Sequence, residues 1–191
     1  MIILNKIYNK LDYYLDKIFE IYLKFIFGVQ IGKNCRISRK SSIRCLYRSI
    51  KIGDNCIVEP YVRIKAIQNH SKRDKVININ SNVFIGYATV IDSGNYIEIG
   101  NYTMIGPHVF ITDVDHRLEL KDVPIASQGS LFGETIIREN VWIGSQVQIL
   151  RGSVIQKNSI VGANSTVLSQ MEEESLILGI PAKVKKTIVF K

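Results

Sequence analysis

Long apolar runs, paired cysteines and clustered histidines are all missing from this chain of 191 residues. It has no run of about eighteen apolar residues to span a bilayer, and no basic start, apolar centre and cleavage site to signal export. Cys35, Cys45 and Cys56 are an odd number without CxxC spacing, so they do not resemble a disulfide framework or a CxxC metal pair. The three histidines share no metal-ligand spacing. We therefore expect a cytoplasmic protein with free thiols and no metal ion.

Acidic residues are also scarce relative to basic ones, which gives a net charge of +8. A nucleic-acid binder would carry a basic stripe interleaved with aromatic residues that stack on bases, and this sequence has no such stripe. The excess charge instead favours an anionic small molecule, an acidic membrane surface or simple solubility. Basic residues collect at 36–48 and 72–75, where a solvated surface is the simplest explanation.

What the sequence does contain is an aliphatic residue at every sixth position over long stretches. Neither the 3.6-residue turn of a helix nor the two-residue alternation of a strand produces this period. A period of six is typical of a solenoid of short strands, in which each coil stacks its aliphatic side chains on the coil below. These repeat positions are Ile31, Ile37, Ile43, Ile52, Val58, Ile64, Ile79, Ile85, Ile91, Ile99, Ile105, Ile111, Ile137, Ile143, Ile149, Ile155, Val161 and Val167.

Two other positions of the repeat mostly carry small side chains. Four residues after most repeat positions stands a small or β-branched residue, which we expect to point inward beside the aliphatic one. Glycine often follows a repeat position directly, as at Gly32 and Gly144, and we expect it at corners that need a positive φ. Three sides of six residues make a triangular coil, and the chain is long enough for about seven coils.

Three segments interrupt the period of six. Residues 65–76 are polar and charged, and a two-residue slip follows Ile91 around Ser93-Gly94-Asn95. The third segment comes after Ile111 and returns to the repeat at Ile137. It must be extruded as a loop, predicted at 117–135, because stacked coils leave no room inside. Loops of this length are usually functional or disordered.

The first 28 residues form a separate unit with apolar residues at helical spacing, including Leu11, Leu15 and Ile18. This pattern predicts an amphipathic helix, or two, ending at Gly28. We expect the apolar stripe to pack on the end or flank of the solenoid, where it covers strand edges, or to pack against another subunit. Peripheral membrane association through the helix is a second interpretation, and the two are compatible. The predicted division is a helical segment at 1–28, the β-helix at 29–170 and a basic tail at 171–191.

Four segments carry a resemblance to a known family: IGNYTMIGPHVFITDVDH, VWIGSQVQILRGSVI, VGANSTVL and GIPAKVKK. They closely resemble the hexapeptide-repeat acyltransferases, within them most of all the galactoside and maltose acetyltransferase group, which includes enzymes that O-acetylate capsular and lipopolysaccharide sugars. The resemblance covers residues 31–188. It implies an all-β, left-handed parallel β-helix, an exception to the right-handed crossover rule. It also implies a homotrimer with active sites between subunits, and acetyl-coenzyme A (acetyl-CoA) as the acyl donor.

His116, the last residue of ITDVDH, is the candidate general base. An acceptor hydroxyl must lose its proton as it attacks a thioester, and imidazole titrates near neutral pH; the matching histidine of the family has this role. Asp113 and Asp115 flank it, and either carboxylate could orient the imidazole or bind a sugar hydroxyl. Tyr87 and Asp92 are further candidates for acceptor contacts, because an asparagine common in the family is replaced by alanine here.

The resemblance assigns the donor site to the WIGS step and to the C-terminal segment. The backbone N–H of Ser145 would donate to the thioester oxygen as it becomes an oxyanion, a contribution of roughly 3 kcal/mol. Trp142 would either wall the pantetheine arm or pack the trimer. The remaining donor-site candidates are small corner residues that permit close approach and basic residues for the phosphates: Gly144, Gly162, Ala163, Lys183 and Lys186.

Three functions stay open on the sequence. The favoured one is O-acetylation of a sugar of a surface polysaccharide or its precursor. The second is N-acetylation of a nucleotide-linked amino sugar, with acetylation of an antibiotic as a weaker option. The third is a non-catalytic β-helix scaffold, which would bind no coenzyme A.

Overall fold

The computed structural model describes residues 2–66 and 74–189, with side chains described from residue 10 onward. The chain is a left-handed parallel β-helix with one long helix, α1 (Ile2–Ile26), at its N-terminal end. No helix among the described residues is long and apolar enough to cross a membrane. Residues 67–73, the centre of the predicted polar break, lie outside the described residues together with His70.

Three sheets form faces A, B and C of the coil, and they are parallel except for the last strand of face B. Face A consists of β1 (Gln30–Ile31), β4 (Ile50–Ile52), β7 (Ile77–Ile79), β10 (Tyr96–Ile99), β15 (Glu134–Ile137), β18 (Val154–Ile155) and β21 (Gln170–Met171). Face B consists of β2 (Arg36–Ile37), β5 (Ile57–Val58), β8 (Phe84–Ile85), β11 (Met104–Ile105), β16 (Trp142–Ile143), β19 (Ile160–Val161), β22 (Ser175–Gly179) and β23 (Ala182–Thr187). Face C consists of β3 (Ser42–Cys45), β6 (Arg63–Ala66), β9 (Val90–Ser93), β12 (Phe110–Thr112), β17 (Gln148–Ile149) and β20 (Thr166–Val167). The elements outside the coils are β13 (Val114–His116), a 3-10 turn (Ile125–Ser127) and β14 (Ser130–Phe132).

The core is the stack of repeat positions. On face A the register pairs Ile31 with Ile52, Ile52 with Ile79, and so on through Ile155 to Met171. All the repeat positions except the half-buried Ile31 are buried, which confirms the period-six interpretation. The small residues four positions later are buried beside them, as expected: Cys35, Ser41, Val62, Val83, Thr89, Thr103, Val109, Val141, Val147, Ser153, Ser159 and Ser165.

The corner glycines have a different role from the expected one. Gly32 and Gly144 do not have positive φ; the left-handed residue comes two positions later, at Asn34 and Gln146. A Cβ at Gly144 would lie 2.6 Å from the backbone nitrogen of Ala163 in the next coil. The expectation of positive φ at these glycines was therefore wrong, because what they provide is close stacking of consecutive coils.

Parallel pairing continues past residue 170, where the sequence suggested a basic tail. Strand β21 pairs with β18 and β22 pairs with β19, and β23 then turns back antiparallel on β22. An antiparallel return can use the same edge groups that a further coil would have used. Lys183, Lys185 and Lys186 consequently lie on a strand of face B.

Helix α1 closes the opposite end of the solenoid with its acidic side. Asp16 and Glu20 are only 5% and 6% exposed. Their carboxylates accept hydrogen bonds from the N–H groups of Arg39, at 2.8 Å, and Ile37, at 3.3 Å. These N–H groups belong to the first coil, which has no coil below it to bond them.

The apolar stripe of α1 mostly faces away from the solenoid. Leu23 is fully buried, but Ile18 and Phe25 are 62% and 79% exposed. The expectation that this stripe packs on the solenoid was therefore wrong for most of its described residues, while its packing against another subunit stays a prediction. The reason is energetic. A buried strand-edge N–H group without an acceptor is more unfavourable than an exposed apolar side chain, so the carboxylates of the helix face the solenoid.

Candidate active site

The extruded segment folds as a two-stranded arm. Strands β13 and β14 pair antiparallel, which places His116 opposite Ser130. At the tip, the side-chain amide of Gln128 accepts a hydrogen bond from the Leu120 N–H at 2.9 Å and donates to the Val123 carbonyl at 2.9 Å. The arm is therefore an ordered support for His116.

Asp113 holds the base of this arm. Its carboxylate is 0% exposed and accepts hydrogen bonds from the Ser93 hydroxyl at 2.6 Å, the Gly94 N–H at 2.8 Å and the Asn95 N–H at 3.0 Å. The predicted contact of Asp113 with a sugar hydroxyl was therefore wrong, because protein donors surround this carboxylate. The two-residue slip at 93–95 supplies those donors.

Two glycines complete the base of the arm. A Cβ at Gly94 would lie 2.6 Å from the ring of Phe132, so the arm packs directly on this backbone. The Gly133 N–H donates to the Asp113 carbonyl at 2.9 Å, and its own carbonyl accepts from the Asn95 side chain at 2.7 Å. These contacts fix the direction in which the arm leaves the coil.

His116 and Asp115 are both exposed on the arm. Asp115 accepts a hydrogen bond from the His116 backbone N–H at 2.8 Å, and its other oxygen lies 4.0 Å from the Arg151 guanidinium. Within the part of the chain that the structure describes, no hydrogen bond engages the imidazole of His116. The ring is thus held through its backbone and is open to a ligand.

The N–H of Ser145 lies at the corner between faces B and C. It has no acceptor among residues 2–66 and 74–189. At the equivalent corner two coils earlier, the Tyr87 N–H donates to the Glu59 carboxylate at 2.8 Å, and one coil earlier the residue is Pro107, which has no N–H. A half-buried donor without a partner is suited to a ligand oxygen.

Trp142 belongs to an apolar strip on the outer surface of face B. The register stacks Met104, Trp142, Ile160 and Leu176 on four successive strands, and Lys186 follows on β23. A cavity of about 180 Å³ opens beside the indole. With strands about 4.8 Å apart, Lys186 lies roughly 14 Å from Trp142. An apolar strip that ends in a cation fits a ligand with an apolar arm and an anionic end.

The other predicted donor-site residues are less open. The side chain of Leu178 lies only 2.0 Å from where a Cβ on Gly162 would be. Gly162 therefore serves coil packing, and the expectation that its backbone lines the pantetheine arm stays a prediction; Gly144 stacks on the next coil in the same way. Ala163 is exposed at the corner, and Lys183 is exposed on β23 opposite Leu178.

Tyr87 and Asp92 lie at opposite ends of face C. The Tyr87 ring packs edge-on between Tyr61, at 5.3 Å, and His108, at 5.6 Å, along the corner with face B. Asp92 pairs with Thr112 at the other edge, where the arm begins. One sugar ring cannot contact both on one protomer. Tyr61 was missed in the sequence, although aromatic residues at the same corner of successive coils were a usable signal.

His116 and Ser145 are also separated by face C. Ser145 precedes β17, whereas His116 follows the far end of β12 in the neighbouring coil. At about 3.3 Å per residue, the strand width of the face separates the two residues by roughly 15 Å. Both groups can therefore act on one substrate only if another copy of the chain supplies one of them or if the arm moves.

The cysteines lie at the other end of the solenoid and are free thiols, as expected. The hydrogen bond with Cys56 lowers the pKa of the Cys35 thiol to about 7. The same hydrogen bond, with burial, raises the pKa of Cys56, and burial raises the pKa of Cys45. A shared proton between stacked thiols explains the opposite directions. These thiols belong to the core of the first coils.

Known proteins resemble this chain in both sequence and structure. The family described as bacterial transferase hexapeptide (six repeats) matches residues 134–169. The putative lipopolysaccharide biosynthesis O-acetyl transferase WbbJ of Escherichia coli is 31% identical over 164 residues, which cover 81% of this chain and 80% of that protein. The chain belongs to the hexapeptide-repeat acetyltransferases. The resemblance inferred from the sequence is confirmed.

Other relatives differ in how much of their length is matched. The galactoside O-acetyltransferase of Lactococcus lactis is 30% identical, with 72% of this chain and 63% of the relative covered. A probable acetyltransferase of Mycobacterium tuberculosis is 30% identical, and this chain spans only 44% of its length. The structure of AntD, an N-acyltransferase from Bacillus cereus, in complex with dTDP and 3-hydroxybutyryl-CoA superposes with a TM-score of 0.73 over 89% of this chain and 88% of that one. Its sequence is 24% identical, so this likeness establishes the fold.

Proposed function

We propose that the protein transfers an acetyl group from acetyl-CoA to a hydroxyl of a sugar in a surface polysaccharide or its precursor. The observation that carries this proposal is the exposed imidazole of His116 on an arm whose base is locked by Asp113. The match along most of its length to a relative named for lipopolysaccharide O-acetyl transfer supports the sugar acceptor. Because acetyl-CoA is a cytoplasmic metabolite, the proposed place of action is the cytoplasm.

The proposed chemistry uses one imidazole and one backbone N–H. His116 accepts the proton of the acceptor hydroxyl while its oxygen attacks the thioester carbonyl carbon. The new C–O bond forms, and the N–H of Ser145 donates to the tetrahedral oxyanion. The C–S bond then breaks, and the imidazolium returns its proton to the departing sulfur, which releases coenzyme A as a thiol.

The proposed donor site follows the strip on face B. Trp142, Ile160 and Leu176 offer an apolar surface for the pantetheine arm. Lys186, at the end of this strip, and Lys183, on the same strand, offer cations for the phosphates. In this arrangement the backbone of Gly162 and the exposed Ala163 would line the pantetheine arm further along, while Gly144 serves the stacking of the coils.

The proposed active unit is a homotrimer with sites between subunits. Face C separates His116 from Ser145 on one protomer, so each site would take its base from one copy and its oxyanion donor from the next. Closed cyclic symmetry makes three such sites equivalent. Light scattering should give a mass of three times 21.7 kDa; a monomer that is fully active would overturn this arrangement.

A nucleotide-linked amino sugar is the second candidate acceptor. The edge-packed rings of Tyr61, Tyr87 and His108 offer aromatic surface on which a nucleobase could stack. Under this alternative, the amine of the sugar attacks the thioester in place of a hydroxyl. This alternative would be favoured if turnover with a nucleotide amino sugar exceeded turnover with every free or polymeric sugar.

The test of the proposed function is release of the coenzyme A thiol with a panel of sugars and nucleotide sugars. His116→Ala should lower turnover on the order of 100- to 10,000-fold and leave calorimetric binding of acetyl-CoA unchanged. Glu139→Ala, an exposed residue at the corner between faces A and B, is the control and should change turnover less than about tenfold. Equal turnover of wild type and His116→Ala would remove His116 from the mechanism. Failure of the wild type to bind acetyl-CoA would instead favour the scaffold.

A further inference from the structure

The outward side of α1 is an apolar surface that the described part of the chain leaves uncovered. Its large apolar residues recur at intervals of three and four, so they form one continuous stripe along the helix. All of them are more than half exposed. These residues, here called the outer stripe, are Leu11, Tyr14, Ile18, Ile21 and Phe25.

The contacts of the inward side prevent the outer stripe from turning toward the solenoid. Asp16 and Glu20 cap strand-edge N–H groups, Lys17 donates to the Cys35 carbonyl, and Asp12 pairs with the Arg39 guanidinium at 2.8 Å. Rotating the helix would leave two nearly buried carboxylates and two backbone N–H groups without partners, which is strongly unfavourable. The outer stripe is therefore a permanent feature of this surface.

The basic charge of the protein is concentrated at the same end. Residues 1–66 hold 13 of the 25 Lys and Arg residues and 5 of the 17 Asp and Glu residues, so they carry the whole net charge of +8. The first coil and the corner after it have six basic residues and no acidic one. Within the described residues, no carboxylate pairs with four of these six, all of them exposed: Lys33, Lys40, Arg44 and Arg48.

We infer that this end of the protein binds an anionic phospholipid bilayer, with α1 lying in the plane of the interface and the outer stripe inserted among the acyl chains. Apolar side chains beside unpaired cations are the combination that an anionic bilayer surface complements. A second copy fits this surface poorly, because two ends of charge +8 would repel each other. The inference is independent of which sugar is acetylated.

Co-sedimentation of the full-length protein with vesicles tests the inference. Vesicles of phosphatidylglycerol and phosphatidylethanolamine should retain the wild type, whereas pure phosphatidylcholine vesicles should retain at least tenfold less. Raising the salt to about 0.5 M should release the protein, since screening shortens the Debye length. Equal binding to both vesicle types, or no binding to either, would overturn the inference.

Variants separate insertion from simple charge attraction. The double substitution Ile18→Glu/Phe25→Glu should weaken vesicle binding at least tenfold, and Arg44→Gln/Arg48→Gln should weaken it about tenfold. Leu168→Glu, an exposed leucine at the opposite end of the solenoid, is the matched control and should bind like the wild type. A change of oligomeric mass in Ile18→Glu/Phe25→Glu, measured by light scattering, would show that another copy covers the outer stripe and would overturn the inference.

Discussion

The buried carboxylate of Asp113 accepts a 2.6 Å hydrogen bond from the hydroxyl of Ser93, twenty residues earlier in the chain. This contact joins two departures from the period of six: the slip at 93–95 and the extruded arm that begins at Val114. The slip turns the backbone N–H groups of Gly94 and Asn95 toward the arm, and the Asp113 carboxylate accepts hydrogen bonds from them. The position of His116, three residues further on, therefore depends on an insertion in the previous coil.

Replacing Asp113 with asparagine should loosen the arm. The amide NH₂ would face N–H donors where an oxygen now accepts, and the unfolding free energy should fall by about 1–3 kcal/mol. Turnover should fall on the order of 10- to 100-fold because His116 is misplaced, while calorimetric affinity for acetyl-CoA is kept. Asp115→Asn, an exposed neighbour, is the control for stability. Wild-type turnover in Asp113→Asn would show that the base does not need this clamp.

Replacing Gly94 with alanine should displace the base of the arm through a steric clash. The Cβ would approach the Phe132 ring to 2.6 Å, which we expect to cost about 1–3 kcal/mol and to tilt the arm. Gly152→Ala is the control: its Cβ would meet nothing within 4 Å, although its φ of +84° adds backbone strain. Thermal unfolding should detect both variants, but only Gly94→Ala should lose turnover beyond its loss of folded protein. Equal turnover in the two variants would contradict the packing argument.

The solenoid could be predicted from the sequence because one local rule sets it. Each inward aliphatic residue, such as Ile143, contacts its equivalent in the next coil, so the period of six records the core directly. The existence of the arm followed from the same rule. The hydrogen-bond partners of Asp113 could not be predicted in this way, because a carboxylate in a polar loop has the same sequence pattern whether it is solvated or buried.

The orientation of α1 and the distance between His116 and Ser145 required the three-dimensional structure. The helical spacing of α1 revealed an apolar stripe but not that Asp16 and Glu20 would face the first coil, since unpaired strand-edge N–H groups arise only in the folded chain. His116 and Ser145 were identified through the family resemblance. Their separation across face C depends on the number of residues on each side of the coil.

Removal of the Asp16 carboxylate should destabilise the N-terminal end of the solenoid. In Asp16→Ala the N–H of Arg39 loses its acceptor, which we expect to cost about 1–3 kcal/mol and to lower the Tm by several degrees. Asp12→Ala breaks only a half-exposed ion pair with the same residue and should cost less than about 1 kcal/mol. If both variants unfold at the same temperature, the hydrogen bond to the strand edge is not what stabilises this end.

Ser145→Pro should remove the proposed oxyanion donor without removing the corner. Pro107 already occupies the equivalent corner one coil earlier, with the same neighbours in the repeat. We expect the Tm to change little and turnover to fall about 100- to 1,000-fold, the usual effect of losing one such donor. Ser145→Ala keeps the N–H and should keep turnover within a few-fold. Full activity in folded Ser145→Pro would exclude this N–H from the reaction.

Mixing two inactive variants should restore activity if each site takes His116 from one subunit and Ser145 from the next. A trimer that contains both His116→Ala and Ser145→Pro subunits has one site at which both groups are wild type. Random reassembly of equal amounts should therefore recover about a quarter of wild-type turnover. Each variant taken through the same unfolding and refolding alone is the control and should stay inactive. If the mixture also stays inactive although light scattering shows mixed trimers, both groups act within one protomer, and the roughly 15 Å across face C must be closed by movement of the arm.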